Sequence, residues 1–265
     1  MRSSKILAKL RRNEPVLLPQ LHLTDESVFE MTSLLGFDGI WMDLEHHACS
    51  LETASRMIRA TRVGDCDIVA RAAKGEFTRF ARLLEAGASG LMYPRCDDAA
   101  EALRLVNHSK FAPLGMRGFD GGNPDMPYLS MPVPDYIEAA NRQTLIVVQI
   151  EDPAALQVAD QIAGVNGVDG IFFGPADFSI LAGIPGEFRH SMIDNALDEV
   201  ARAARGAGKF WGAPCFSQDH AKNLLDRGAR FLACGADIAF LRKSLESMRE
   251  QFSKIGFTFH ETAGG

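Results

Sequence analysis

The sequence predicts an α/β fold, a single (β/α)8 TIM barrel, on three observations. Eight short apolar runs recur along the chain. Amphipathic segments separate most of them, and no linker or low-complexity stretch divides the 265 residues. Strands that alternate with helices build a parallel sheet, and this length suits one barrel or two smaller domains.

In chain order the strands are expected at 16–22, 39–45, 67–71, 90–95, 144–151, 170–174, 209–215 and 231–235. Helical patterns fall between them at 51–61, 77–86, 99–107, 155–163, 194–206 and 218–227. The second and sixth strands share an entry, Gly36-Phe37-Asp38-Gly39-Ile40 and Gly167-Val168-Asp169-Gly170-Ile171. The fourth and eighth share another, with Glu85-Ala86-Gly87-Ala88 and Asp226-Arg227-Gly228-Ala229 before them. In each, a glycine ends a helix in a left-handed conformation and a buried strand follows. Generic α/β turn chemistry and an ancestral repeat explain these echoes equally well. The longest irregular stretch, 113–134, is rich in Gly, Pro and Asp and is expected to be functional or mobile. A last helix at 239–252 carries an apolar stripe of Phe240, Leu241, Leu245, Met248 and Phe252, which packs on its own barrel or on a neighbour's. The tail, 257–265, is expected to be peripheral.

A composition of 46% hydrophobic and 23% charged residues is that of a soluble globular protein. A net charge of -6 argues against a nucleic-acid-binding surface. No apolar stretch is long enough to span a membrane, and the first residues lack the apolar run of a secretory signal. The expectation is a cytoplasmic protein that handles small molecules, with no nucleic-acid or membrane partner. The cysteines number five and form no CxxC pair, so free thiols are expected.

Chemistry is expected at the carboxyl-terminal rim, where such barrels carry it. Glu151 ends the run Ile146-Val147-Val148-Gln149-Ile150-Glu151, and Asp177 follows the run Gly170-Ile171-Phe172-Phe173 in Gly174-Pro175-Ala176-Asp177. Two hard oxygen ligands at neighbouring strand ends are how proteins hold Mg²⁺ or Mn²⁺ for a substrate that completes the shell. Asp43, Glu45 and His46 close the second strand, with Asp43 and Glu45 on one side of it. There they orient a proton-carrying histidine, or they form a solvated acidic strand end. Arg71 ends the third strand and suits a carboxylate, a keto oxygen or a developing enolate, or an ion pair with Asp43 or Glu45. Gln149 shares a strand face with Glu151. The bare backbone of the Gly174–Asp177 turn is shaped to cradle a carboxylate. No P-loop, dinucleotide fingerprint, GxSxG or HExxH is present. No central strand ends in the lysine that a Schiff-base mechanism needs.

These stretches, with Gly36-Phe37-Asp38, Val69-Ala70-Arg71, Leu84-Glu85-Ala86-Gly87-Ala88 and Gly115-Met116-Arg117-Gly118, resemble the HpcH/HpaI class II aldolases over roughly residues 5–252. The resemblance implies a barrel of the phosphoenolpyruvate/pyruvate type. It implies a homo-oligomer, often a hexamer, whose last helix (about 239–252) is exchanged between subunits. It implies a divalent ion (Mg²⁺, Mn²⁺ or Co²⁺) on Glu151 and Asp177. Arg71 would stabilise the enolate of pyruvate, and His46, positioned by Asp43, would handle protons. Arg71, Gln149, Gly174, Pro175 and Ala176 would hold pyruvate. Arg95, the segment 119–125, Pro214 and Phe216 depart from the family's pattern at positions expected to face the aldehyde half. The expected activity is metal-dependent, reversible cleavage of 4-hydroxy-2-oxo acids to pyruvate and an aldehyde. Its rivals are oxaloacetate decarboxylation at the same site, a lyase for citramalyl- or malyl-CoA, and a barrel that binds without catalysis.

Overall fold

A computed structural model of the chain describes residues 2–260. Its strands are β1 (Val16–Leu21), β2 (Gly39–Asp43), β3 (Asp67–Arg71), β4 (Gly90–Tyr93), β5 (Leu145–Ile150), β6 (Gly170–Phe173), β7 (Phe210–Cys215) and β8 (Phe231–Ala236). Its helices are α1 (Lys5–Arg11), α2 (Glu26–Leu34), α3 (Leu51–Ala60), α4 (Phe77–Glu85), α5 (Ala99–Ser109) and α6 (Val133–Gln143). They continue with α7 (Pro153–Gln157), α8 (Ala159–Ala163), α9 (Pro175–Leu181), α10 (Ser191–Gly206), α11 (Gln218–Asp226) and α12 (Asp237–Ser253). The eight strands are parallel and close in sequence order into one barrel, as the sequence predicts.

Alternation along the strands separates two cores. Outward residues pack beneath the helices, among them Ile40, Met42, Ile68, Ala70, Leu91, Ile146, Val148 and Ile171. Inward residues Leu18, Trp41, Val69, Met92, Val147, Phe172 and Phe231 fill the barrel. Trp41 and Phe231 each meet Phe172 edge-on, with ring centroids 5.6 and 5.9 Å away. Helix α1 plugs the amino-terminal end. There Gly39 leaves room for Ile6, whose Cδ1 would lie 2.5 Å from a Cβ at that position. Two residues further along β1, β2, β3 and β5 the next inward position is polar: Gln20 after Leu18, Asp43 after Trp41, Arg71 after Val69, Gln149 after Val147. The period of two thus places an apolar floor directly beneath a polar layer at the carboxyl-terminal mouth.

Several local readings change. The pattern at 155–163 is two short helices, α7 and α8, separated at Val158 (φ -114°, ψ 15°). The stretch 113–134 runs into helix α6, and it is anchored: Asp125 accepts from Arg117 Nη2 at 3.0 Å and from the Tyr136 hydroxyl at 2.7 Å. Gly174–Asp177 is the start of a helix rather than a turn, with Gly174 as N-cap and Pro175 at the first helical position. Helix α2, capped by Asp25, buries only Phe29, Thr32 and Ser33, too little for an apolar period. The tail residues 257–260 are exposed; the rest of the expected tail lies outside the described residues. Among the described residues no helix is long and apolar enough to cross a membrane.

Candidate active site

The parallel register places Asp43 of β2 directly beside Arg71 of β3. The guanidinium grips this carboxylate with two hydrogen bonds, Nε to Oδ1 at 2.8 Å and Nη2 to Oδ2 at 2.6 Å. Its Nη1 donates to Gln149 Oε1 at 3.1 Å and lies 3.2 Å from Glu45 Oε2. Beneath it the Trp41 ring is centred 4.5 Å from the guanidinium carbon. An arginine held on two edges and one face loses little further freedom when it binds a substrate oxygen. Three of its five N–H donors are committed to Asp43 and Gln149, which leaves two.

Gln149 passes the network on, since its Nε2 donates to Glu151 Oε1 at 3.2 Å. Glu151 Oε2 accepts from the Arg95 amide at 2.9 Å, where Arg95 holds a left-handed backbone (φ 47°). Gly174 leaves room for the Glu151 carboxylate, because a Cβ there would meet Oε1 at 2.0 Å. Asp177, half-buried in the first turn of α9, accepts no hydrogen bond from a described residue.

Asp43, Glu45 and Glu151 therefore lie around one guanidinium, and Asp177 adds a fourth carboxylate beside Glu45 and Glu151. Burial raises the Asp43 carboxyl, but hydrogen bonds from His22 and Arg71 and the Arg71 charge outweigh this and hold it well below the usual range. Burial pushes Glu151 up to about 7; Arg71 and the Arg95 amide oppose it, while Glu45 and Asp177 add to it. Burial also raises Glu45, against the charges of Arg71 and His46 and with those of Asp43 and Asp177. Glu45 Oε2 is buried without an aligned hydrogen-bond donor. An excess of buried carboxylate over a single guanidinium calls for a further cation. The all-oxygen donor set fits a hard divalent ion.

The structure brings Asp43, Arg71, Gln149, Glu151 and Asp177 to one mouth. It places Gly174 and Pro175 buried beside them and Ala176 exposed at the start of α9. His46 departs from expectation. Its side chain is 68% exposed on the rim, with Nε2 3.6 Å from Glu45 Oε2, and it makes no contact with Asp43. The histidine on Asp43 is His22, whose Nε2 lies 3.4 Å from Oδ2. Sequence reasoning passed over His22, Gln20 and Asp237. Gln20 Nε2 donates to Asp43 Oδ2 at 2.8 Å, and His22 Nδ1 lies 3.2 Å from Asp237 Oδ1. Parity carried the signal: Gln20 and His22 continue the inward face of β1. Glu85, at the end of α4, pairs with Arg82 at 2.9 Å.

The model of the HpcH/HpaI aldolase/citrate lyase family matches residues 21–244. A hydroxypyruvate/pyruvate aldolase of Delftia acidovorans is 33% identical over 237 residues, covering 89% of this chain and 88% of that protein. A 4-hydroxy-2-oxo-heptane-1,7-dioate aldolase of Shigella sonnei is 30% identical over 245 residues, covering 92% and 93%. The crystal structure of an HpcH/HpaI aldolase from Desulfitobacterium hafniense superposes with a TM-score of 0.90 at 25% identity, covering 96% of this chain and 98% of that one.

Proposed function

The chain belongs to the HpcH/HpaI aldolase/citrate lyase family and is a carbon–carbon lyase, and from that premise we propose a divalent-metal-dependent pyruvate aldolase that reversibly cleaves 4-hydroxy-2-oxo acids to pyruvate and an aldehyde. The observation that carries this reading is the continuous bonded line Asp43–Arg71–Gln149–Glu151 across the barrel mouth, with Glu45 Oε2 beside it lacking a hydrogen bond. Glu151 and Asp177 would hold Mg²⁺, Mn²⁺ or Co²⁺. The ion would act as a Lewis acid toward the 2-oxo group.

The chain's own residues have separable tasks. The two uncommitted donors of Arg71 meet the 2-oxo oxygen, which becomes the enolate oxygen. Asp43 fixes Arg71 so that charge developing there is stabilised more than the ground-state ketone is. His46 Nε2 takes the proton of the 4-hydroxyl. The C3–C4 bond then breaks, its electrons pass into the enolate, and the 4-carbon leaves as an aldehyde. Reprotonation at C3 yields pyruvate. Gln149, Gly174, Pro175 and Ala176 line the place of the pyruvate carboxylate, where the first amides of α9 have no partner within the helix. Oxaloacetate decarboxylation delivers the same enolate to the same donors and is the second reading.

Assembly follows from the outside of the barrel. Helix α12 leaves β8 through Gly235 (φ 67°) and exposes Phe240, Leu241, Leu245, Met248 and Phe252. An apolar groove of about 550 Å³ lies between α12 and α2, with Leu17, Met31 and Leu35 in its wall. We assign the groove to the last helix of a second copy, so the chain works as a homo-oligomer.

The test is pyruvate release from 4-hydroxy-2-oxo acids of several chain lengths, with Mn²⁺ or with EDTA, for the parent and Glu151→Gln. Release that needs both the metal and Glu151 is expected. Release that survives EDTA and the substitution refutes the reading.

A further inference from the structure

We propose that His22, Asp43 and His47 form a second cation site, for a borderline divalent ion such as Zn²⁺ or Co²⁺. His22 follows β1, Asp43 ends β2, and His47 lies on the loop that leaves β2. One donor atom from each lies within 4.8 Å of the other two. The two imidazole rings are 4.5 Å apart between centroids and tilted by 55°.

Two features distinguish this cluster from a chance gathering. The first is the orientation of His22. Asp237 Oδ1 lies 3.2 Å from His22 Nδ1. Asp237 is itself fixed by backbone amides, those of His22 at 2.9 Å, Leu23 at 2.8 Å and Ile238 at 2.8 Å. With the Nδ1 proton kept on this carboxylate, an ion displaces the Nε2 proton that Asp43 otherwise accepts and takes the Nε2 lone pair facing Asp43. A carboxylate behind an imidazole is the support that proteins place behind metal-ligating histidines. The second feature is the spacing. Ligands about 2.0–2.1 Å from a tetrahedral ion lie roughly 3.3–3.4 Å apart. His22 Nε2 and Asp43 Oδ2 are 3.4 Å apart. His47, half-buried on a loop, supplies the third ligand from within 4.8 Å of both, and the mouth supplies water for the fourth position.

The donor sets sort the ions. Two imidazoles and one carboxylate suit Zn²⁺ or Co²⁺, whereas the all-oxygen pair Glu151 and Asp177 suits Mg²⁺ or Mn²⁺. The two sites meet at Asp43, which Arg71 also grips. An ion on Asp43 Oδ2 draws charge away from that pair and repels the guanidinium. Occupancy therefore loosens Arg71 and slows turnover. This consequence rests on the proposed aldolase chemistry; the site itself does not.

The experiment is Co²⁺ titration followed by visible absorption and by metal content after gel filtration. It compares the parent, His22→Gln/His47→Gln and Glu151→Gln/Asp177→Asn. The parent should show the strong visible band of imidazole-ligated, low-coordinate Co²⁺. That band should vanish in the histidine variant and persist in the carboxylate variant. His47→Gln alone changes only a loop position, so its fold is secure; it should weaken this Co²⁺ by about tenfold or more. A parent without the band, or a band that survives loss of both histidines, overturns the proposal. A parent that binds one Co²⁺ and keeps it, band included, in the carboxylate variant upholds this site while removing the proposed catalytic one.

Discussion

Arg71 and Glu151 face each other across Gln149 and do opposite electrostatic work. Arg71 is held charged; burial opposes this, and its hydrogen bonds to Asp43 and the Asp43 charge prevail. Arg71→Ala should lower kcat for pyruvate release by roughly 10²–10³, the usual effect of losing one preorganised donor. Arg71→Lys should lower it too, since an ammonium cannot hold Asp43 by two parallel bonds. Near-parent turnover in either variant would remove Arg71 from the chemistry. Glu151 is the strained partner. Its folded-state carboxyl titrates near 7 rather than 4.5, so the folded protein holds that proton more tightly than the unfolded chain does. Its contribution to stability is full below 4.5, falls as pH rises toward about 7 and is gone above that. Metal-free Glu151→Gln should therefore melt above the metal-free parent at pH 8 and level with it near pH 4. Mn²⁺ should raise the melting temperature of the parent far more than that of the variant. A parent that outlasts the variant at pH 8 without metal would contradict this assignment.

The element that the barrel does not absorb is α12. Its stripe residues Phe240, Leu241, Leu245 and Met248 are each 50–51% exposed, beside an apolar groove on the same protomer. Leu245→Asp/Met248→Asp should shift sedimentation from an oligomer to a smaller species. A parent that sediments as a monomer would contradict the proposed exchange. The same helix shows what a sequence conveys and what it withholds. Its period of 3.6 was legible, and so were the eight strands, because burial on one face leaves a pattern in the side chains. Its partner was not, since an apolar stripe looks alike on either barrel. Helices α2 and α9 were missed for the opposite reason: each is short and buries few apolar residues. The family resemblance implies that Asp43 positions His46. The contact that forms, His22 to Asp43, joins two strands, and only the β1–β2 pairing brings it about.

Over the whole molecule, the floor of Trp41, Phe172 and Phe231 closes the barrel beneath the polar layer, so substrate enters only from the mouth. In the proposed function, cleavage, synthesis and decarboxylation there would share one species, the enolate of pyruvate, whatever the aldehyde. The rim positions Arg95, Pro214 and Phe216 would then face the second substrate, above the layer that holds pyruvate. The central claim is thus open to test without knowing that substrate. Pyruvate held in D₂O with the protein and Mg²⁺ should exchange its methyl protons for deuterium, followed by proton NMR. Exchange should stop on addition of EDTA and fall by roughly 10²–10³ in Arg71→Ala. Absence of exchange by the parent with Mg²⁺, Mn²⁺ or Co²⁺ would mean that this mouth does not make the enolate, and the aldolase reading would fall with it.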